Sequence, residues 1–481
     1  MATETVQVTD HELLIAGKWG ATGEWAEVKS PYDQTVVGRV AIADTALAQE
    51  AIEAAHAAFS KGDFPQHERA AVLDRAAHLA SERVEDLALT IAAEAGKPLK
   101  TARVEASRCA DTLTFSAVEA RKLTGGTVPM EASAAGAGKL GVMLRVPYGV
   151  VGAISPFNFP LNLVAHKLGP AIAAGNAVVL KPAGQTPITA LKLAQIFLDA
   201  GLPEGWLSVV PGGGSTVGNA LVSHPLTKAI TFTGSAKVGW GIRSQVPHKK
   251  VNLELGSNAP LIVNDDGDWE TAADKAQIHA FAHAGQVCIS IQRILVHEAV
   301  ADRFIARLVG NVEKLTVGDP LDPDTDVGPL ITPGDRDRVK EWIDEAVAAG
   351  AELLTGGELV DEGRCLAPTL LKAPPKDTKV WCEEAFGPVA TIHTFSSFEE
   401  GLEMANDSKF GLQAGVFTRD IGRGIEAART LEFGGVMVNE VPAFRADQMP
   451  YGGVKDSGNT REGPAFAVYE LTEERFVAIQ G

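Results

Sequence analysis

The sequence predicts an α/β fold: two doubly wound α/β domains with a small separate β element. Three observations carry that prediction. From Val150 onward, short apolar runs alternate with helical segments, joined by short links. The runs lack polar alternation, as strands buried on both faces of a parallel sheet do. A second series of the same kind begins near residue 256, and 481 residues exceed one ordinary domain of roughly 100–200 residues.

The elements follow in order. Residues 44–60 and 67–95 are Ala-rich with helical periodicity and charges on one face, and read as an outer packing layer. Asp44 and Ser81 there suit a cap or the surface. Residues 124–148 fit neither α/β series. They read as two extended pieces around a flexible connection, with GVMLRV as a hairpin arm seeking a partner edge. VVGAIS (150–155) is a strand, and the helix after it stops at Gly175. AVVLKP (177–182) is a strand, and Pro187 opens the next helix. LSVVPG, AITFTG and KVNLELG continue the first series. LIVNDD (261–266), a helix over 268–285 and a strand near RILVHEAV open the second. The boundaries read 1–123 with 147–255 for the first domain, and 256–450 for the second. Residues 124–146 stand apart from both, and 451–481 form the C-terminal segment.

Composition narrows the function. With 43 Lys plus Arg against 61 Asp plus Glu, the net charge is −18. That field disfavours nucleic acid and anionic membrane surfaces as partners. The first twenty residues have no basic, then apolar, leader, and no apolar run is long enough to span a bilayer, so a cytoplasmic protein is expected. Four cysteines without a Cys-x-x-Cys pair make neither a disulfide scaffold nor a zinc site.

Parallel sheets bind ligands beyond the carboxyl ends of their strands. Those ends carry Asn158 in SPFNFP, Lys181 in KPAGQTP, the glycine-rich turns at 212–218 and 234–239, and Glu254 in LELGSN. Neither turn obeys Gly-x-Gly-x-x-Gly, so each is as readily an ordinary strand-to-helix link as a phosphate cradle. Lys181 alone is either a solvated strand end or a contact for ribose or phosphate. Cys109 in a helical stretch and Cys365 at a strand start read as packed residues, and Cys382 stands beside two glutamates that would raise its pKa. Cys288, in HAGQVCIS, follows a long helix at a glycine-containing turn and is the candidate nucleophile. His279 and His283 lie four apart, but no third ligand accompanies them, and no metal is expected.

The strings SPFNFP, KPAGQTP, FTGSAKVG, LELGSNAP, GQVCIS, EEAFGPV and MPYGGVKDSG occur in that order. Together they resemble the aldehyde dehydrogenase superfamily, from about residue 10 to the C-terminus. The 34-residue interval from Glu254 to Cys288 agrees. GQVCISIQR and VPAFRADQMPYGGVKDSG are most similar to its lactaldehyde-dehydrogenase-like branch. The resemblance implies a nucleotide-binding domain, a catalytic domain and an oligomerisation arm, in that order of the boundaries above, and a homodimer or homotetramer.

It also implies roles. Cys288 resembles the nucleophile that attacks a small-molecule aldehyde, and Asn158 the side chain that meets the resulting oxyanion. Glu254 resembles the base that activates water against the thioester. Glu473 matches a second carboxylate credited with proton relay. Lys181 matches the lysine on the adenosine ribose, Gly234 and Ser235 the pyrophosphate site, and Glu384 and Phe386 the residues that place the nicotinamide riboside. Phe157 and Arg445 are expected to meet the substrate.

Two departures bear on specificity. Where the family often has a glutamate three residues after the lysine, this chain has Gly184. An element that repels a 2′-phosphate is therefore missing, so use of both NAD and NADP is expected. Ser257 stands where LELGG is usual. Arg445 could pair with a carboxylate, phosphate or sulfonate on a short aldehyde, or equally with Asp447 or another acidic neighbour. Arg103 and Arg108 lie on a helix that could also reach the pocket. The rival readings are a coenzyme-A-acylating dehydrogenase and a non-catalytic nucleotide-binding relative.

Overall fold

The computed structural model describes residues 8–481; residues 1–7 of the stretch read above as lacking a leader lie outside the described residues. Two seven-stranded sheets dominate. In the first, Lys250–Glu254, Thr227–Thr233, Val150–Ile154, Ala177–Lys181 and Leu207–Val209 stand side by side in that order, all parallel. The strand order reverses around Val150–Ile154, which opens a crevice at the carboxyl ends. Register aligns those ends: Ile154 pairs with Lys181 and Phe232, and Thr233 with Glu254. An antiparallel hairpin of Leu13–Ile15 and Lys18–Gly20 closes the edge beyond Leu207–Val209.

The second sheet orders Thr369–Lys372, Val389–Phe395, Ile291–His297, Ala259–Val263, Gln413–Phe417 and Gly435–Val438 in parallel, with Glu352–Thr355 antiparallel at one edge. The central strands are buried along their length because helices cover both faces, which is why they read as unbroken apolar runs.

Each sheet organises its own apolar core. The helix Asn162–Ala174 is buried at every position, against the first sheet on one side and the long helix Leu99–Lys122 on another. The expected outer layer is present as Thr45–Lys61, capped by the Asp44 carboxylate accepting from Leu47 N, and as Gln66–Glu82 and Val84–Ala95. The stretch read as one helix over 67–95 is thus two, broken at Arg83. No proline or glycine marks that break, so periodicity alone passes over it. Ser81 is exposed and bonds within its own helix, to His78 O. The short strands between Thr9 and Ala41 were not anticipated; most span only three to six residues, too few to display a period.

Gly126–Val128, Lys139–Pro147 and Thr472–Gln480 form a separate antiparallel sheet. Leu140, Leu144, Phe476 and Ile479 are exposed on it. The C-terminal strand of this sheet begins at Thr472. Residues before it serve the two sheets instead: Val454–Lys455 pairs with Phe410–Gly411, Asn459 bonds both Val251 O and Leu253 N, and Val468 and Leu471 join the first core. No helix among the described residues is long and apolar enough to cross a membrane.

Candidate active site

The helix Trp269–Phe281 ends earlier than the expected 285 because the chain turns left-handed at His283, Ala284 and Gly285. For the two non-glycine residues this conformation costs roughly 1–2 kcal/mol each. At position 285 glycine is obligatory, since a Cβ would fall 2.0 Å from Gly387 O. Gln286 locks the turn: its side chain donates to His283 O at 3.1 Å and accepts from Ile331 N at 2.9 Å. Two residues later the turn presents Cys288 to a cavity of about 370 Å³.

That cavity gathers most of the side chains singled out in the sequence. Phe157, Asn158, Gly234, Ser235, Glu254, Cys288, Glu384 and Phe386 all line it, drawn from the strand ends of the first sheet and two loops of the second. Buried Asn158 donates through Nδ2 to Gln286 O at 2.8 Å, which ties the first sheet to the cysteine loop. The amide has a second N–H to offer. The rings of Phe157 and Phe386 meet edge to face at 5.8 Å. Phe386 sits in a left-handed conformation, strain of the kind concentrated at functional sites.

The electrostatics separate the acids. Burial, then the negative charge of Glu462, pushes the Glu254 carboxyl well above its ordinary value. Among the described residues neither Glu254 oxygen has a hydrogen-bond partner. A Cβ at position 452 would fall 2.7 Å from Glu254 Oε1, so Gly452 lets the backbone close over that carboxyl. Burial alone would raise Glu462 too, but Lys167 and Arg445 overcome it and bring Glu462 down to about 2. Lys167 Nζ lies 3.5 Å from Glu462 Oε1 and donates to Thr233 Oγ1 at 2.6 Å. Burial pushes Glu384 up to about 7, although the Ser257 N–H donates to it at 3.0 Å. The Cys288 thiol is driven up to about 11 by burial, against the pull of the Tyr451 hydroxyl and the Arg445 charge. Tyr451 Oη lies 2.8 Å from Cys288 Sγ.

Arg445 is nearly enclosed. Its Nη2 donates to Glu462 Oε2 at 2.9 Å, its guanidinium covers the Tyr451 ring at 3.7 Å, and its Nε has no partner. The acidic partner is therefore Glu462, not Asp447. Asp447 instead takes a two-pronged bond from Arg108 at 3.0 and 2.8 Å and a bond from Asn162 Nδ2. Arg103 does not reach the pocket; it pairs with Glu85 on the surface.

Glu473 is not brought to the site. It lies exposed in the arm, paired across the strands with Val146 and 3.5 Å from Arg475. The second carboxylate beside Glu254 is Glu462. Glu462 and Glu473 both follow the MPYGGVKDSG string, and only the folding back of residues 451–463 onto the first sheet selects between them. Lys167 and Tyr451 were also missed. A lysine inside the otherwise apolar helix Asn162–Ala174 was the available signal for the first, and the tyrosine within MPYGG for the second.

The cofactor side is assembled from the first sheet. Lys181 ends its strand with Nζ donating to Pro182 O at 2.8 Å, one of three available protons, and burial lowers its pKa. The glycine-rich turn at 212–218 brings Gly218 beside the Lys181 stem. Ser235 starts the helix Ala236–Gln245 without capping it, so its hydroxyl is unspent at a helix start that favours anions. Gly184 is exposed, and a Cβ there would meet nothing within 4 Å. These features fit a dinucleotide: anion-binding amides, a lysine with spare donors and an open approach. Cys109 and Cys365 are buried. Among the described residues no group of three or more His, Cys, Asp or Glu could hold a metal ion.

Cysteine, asparagine and glutamate thus converge on one crevice of a two-sheet α/β chain. The aldehyde dehydrogenase family profile matches residues 19–477, and the chain belongs to that family of NAD(P)-dependent enzymes. It is 44% identical over 477 residues to 3-sulfolactaldehyde dehydrogenase of Priestia aryabhattai, covering 99% of each chain. It is 40% identical over 474 residues to lactaldehyde dehydrogenase of Methanococcus vannielii, covering 97% of this chain and 99% of the relative. Among solved structures, glyceraldehyde-3-phosphate dehydrogenase from Methanocaldococcus jannaschii complexed with NADP superposes with a TM-score of 0.91 at 37% identity, over 96% of this chain and 100% of that one. The resemblance read from the ordered strings, including its lactaldehyde-dehydrogenase-like branch, is thereby shown.

Proposed function

We propose that this aldehyde dehydrogenase oxidises a short polar or anionic aldehyde to the free acid, with Cys288 as nucleophile, and accepts both NAD and NADP. The observation that carries the reading is the convergence of Cys288, Asn158 and Glu254 on one cavity, with the buried Arg445 cation acting on the cysteine through its charge.

The Cys288 thiolate attacks the aldehyde carbon. The C–S bond forms as the carbonyl π pair moves to oxygen, and the remaining Asn158 N–H and the Cys288 backbone amide meet that charge. Lys181, Gly234, Ser235, Glu384 and Phe386 would hold the dinucleotide, which would supply the hydride acceptor for oxidation of the adduct to a thioester. Glu254, once deprotonated, takes a proton from water as the water attacks the thioester, and the acid leaves while Cys288 regains its charge. Both oxygens of Glu254 are free for that task, which favours hydrolysis over acyl transfer to coenzyme A. Lys167 and Glu462 bias the proton on Glu254 through their charges.

Arg445 supports an anionic substrate because its Nε is buried and unpaired while Glu462 and the Tyr451 ring hold it in place. The names of the relatives, with sulfonate- and phosphate-bearing aldehydes among them, agree with that choice. Gly184 supports NADP use, since no side chain there opposes a 2′-phosphate. The first sheet with residues 1–123 is assigned to nucleotide binding and the second to catalysis. The exposed apolar side chains of the arm support assembly into a homodimer or homotetramer. A panel of lactaldehyde-like, semialdehyde, sulfonate- and phosphate-bearing aldehydes, run with each cofactor and with or without coenzyme A, tests the reading. Turnover of neutral aldehydes alone, or a requirement for coenzyme A, overturns it.

A further inference from the structure

We propose that Tyr451 is a catalytic residue whose hydroxyl donates a hydrogen bond to the Cys288 thiolate, holding the nucleophile charged and aimed before the aldehyde arrives. The proposal rests on the reading of Cys288 as nucleophile. Its basis is geometric. Tyr451 Oη is 2.8 Å from Sγ, and the ring is fixed in a small apolar cluster with Ile289 and Leu412. The Arg445 guanidinium lies over the ring at 3.7 Å and is itself anchored by Glu462. A cation on the face of a phenol draws electron density from it and makes its O–H a better donor.

The direction of the bond follows from the surroundings. Four charged or titratable groups act on Cys288: Tyr451, Arg445, Glu384 and Glu254. The two glutamates and burial all oppose a thiolate; Arg445 and the tyrosine O–H are what favour one. Tyr451 is itself held well above its ordinary value, first by burial and then by Cys288. The phenol therefore stays protonated and serves as donor. When the thiol ionises, its proton goes to water and Tyr451 keeps its own. When the C–S bond forms, the sulfur lone pair is consumed and the tyrosine hydroxyl is released, still protonated.

The test is Tyr451→Phe, which keeps the ring, the apolar packing and the surface on which Arg445 rests. The readout is the pH profile of iodoacetamide alkylation of Cys288, followed by peptide mass in the full-length protein without substrate, with half-buried Cys382 as internal control. Loss of the bond moves the Cys288 midpoint up by about one pH unit and slows its alkylation near neutral pH about tenfold, leaving Cys382 unchanged. The same variant loses about tenfold in kcat/KM near neutral pH, recovers it at high pH, and binds the dinucleotide as before. An unchanged midpoint overturns the proposal, as does a lower one, which would make the thiol the donor. Because alkylation needs no turnover, either result is distinct from failure of Cys288 as nucleophile, which Cys288→Ala tests separately.

Discussion

Replacing Gly184 by glutamate should turn the dual cofactor use proposed above into a preference for NAD. The fold has room for the change: apart from its two chain neighbours, no described residue comes within 4 Å of a Cβ at this exposed position, and its backbone is not left-handed. The new carboxylate would stand three residues beyond Lys181, on the side assigned to the adenosine ribose. Like charges 4 Å apart repel by about 4 kcal/mol at an effective dielectric constant of 20 and by about 1 kcal/mol in water. Exposure puts this site near the lower figure, so a penalty of about 1.4–2 kcal/mol against the 2′-phosphate is expected, or about ten- to thirtyfold in Kd for NADP. NAD should gain by about three- to tenfold, from a hydrogen bond of its ribose hydroxyls to the carboxylate. Fluorescence titration with the reduced cofactors measures both constants. If the wild-type protein already excludes NADP, or if the variant binds it unchanged, the role given to Gly184 is refuted.

Further expectations follow from the same geometry. Arg445→Gln should raise KM for anionic aldehydes by at least about tenfold and spare neutral ones, since a charged hydrogen bond is worth about 1.5–3 kcal/mol; equal effects on both would count against the pairing. Glu473→Ala and Cys382→Ala should leave turnover unchanged, because one side chain lies on the arm and the other outside the cavity lining; a loss of more than about twofold in kcat, roughly 0.4 kcal/mol, would return them to the site. The pH dependence of deacylation should follow Glu254. Burial and Glu462 raise its pKa, so it is protonated and inactive as a base below that raised value and gains function as pH climbs. Glu462→Gln removes the neighbouring negative charge and should move this rise to lower pH. A rise that stays in place would show that Glu462 does not act on Glu254.

The sequence shows the parts of this site unevenly, for physical reasons. Asn158, Lys181 and Glu254 are legible because apolar strands announce themselves and a parallel sheet exposes its carboxyl ends. Cys288 is legible as the cysteine at a glycine turn after a long helix, although the left-handed path through His283 and Ala284 is not, since nothing in those residue types forbids another helical turn. Glu462 is illegible because its place depends on residues 451–463 returning to the first sheet, a long-range event that no local period records. Without that return, Glu473 is an equally good match to a second carboxylate. The Arg445 pair is read only in part: composition shows that an acidic partner is available, and packing alone chooses Glu462 over Asp447.

The central claim is that acyl transfer passes through Cys288 and is completed by Glu254. Intact-protein and peptide mass spectrometry of Glu254→Gln, incubated with an aldehyde that the wild-type enzyme turns over and with the oxidised dinucleotide, tests it most directly. The expected result is one equivalent of acyl adduct on the peptide bearing Cys288, formed with a burst of reduced cofactor and lost slowly, and none in Cys288→Ala. A variant that turns over at the full steady-state rate, or an adduct on any other residue, would contradict it.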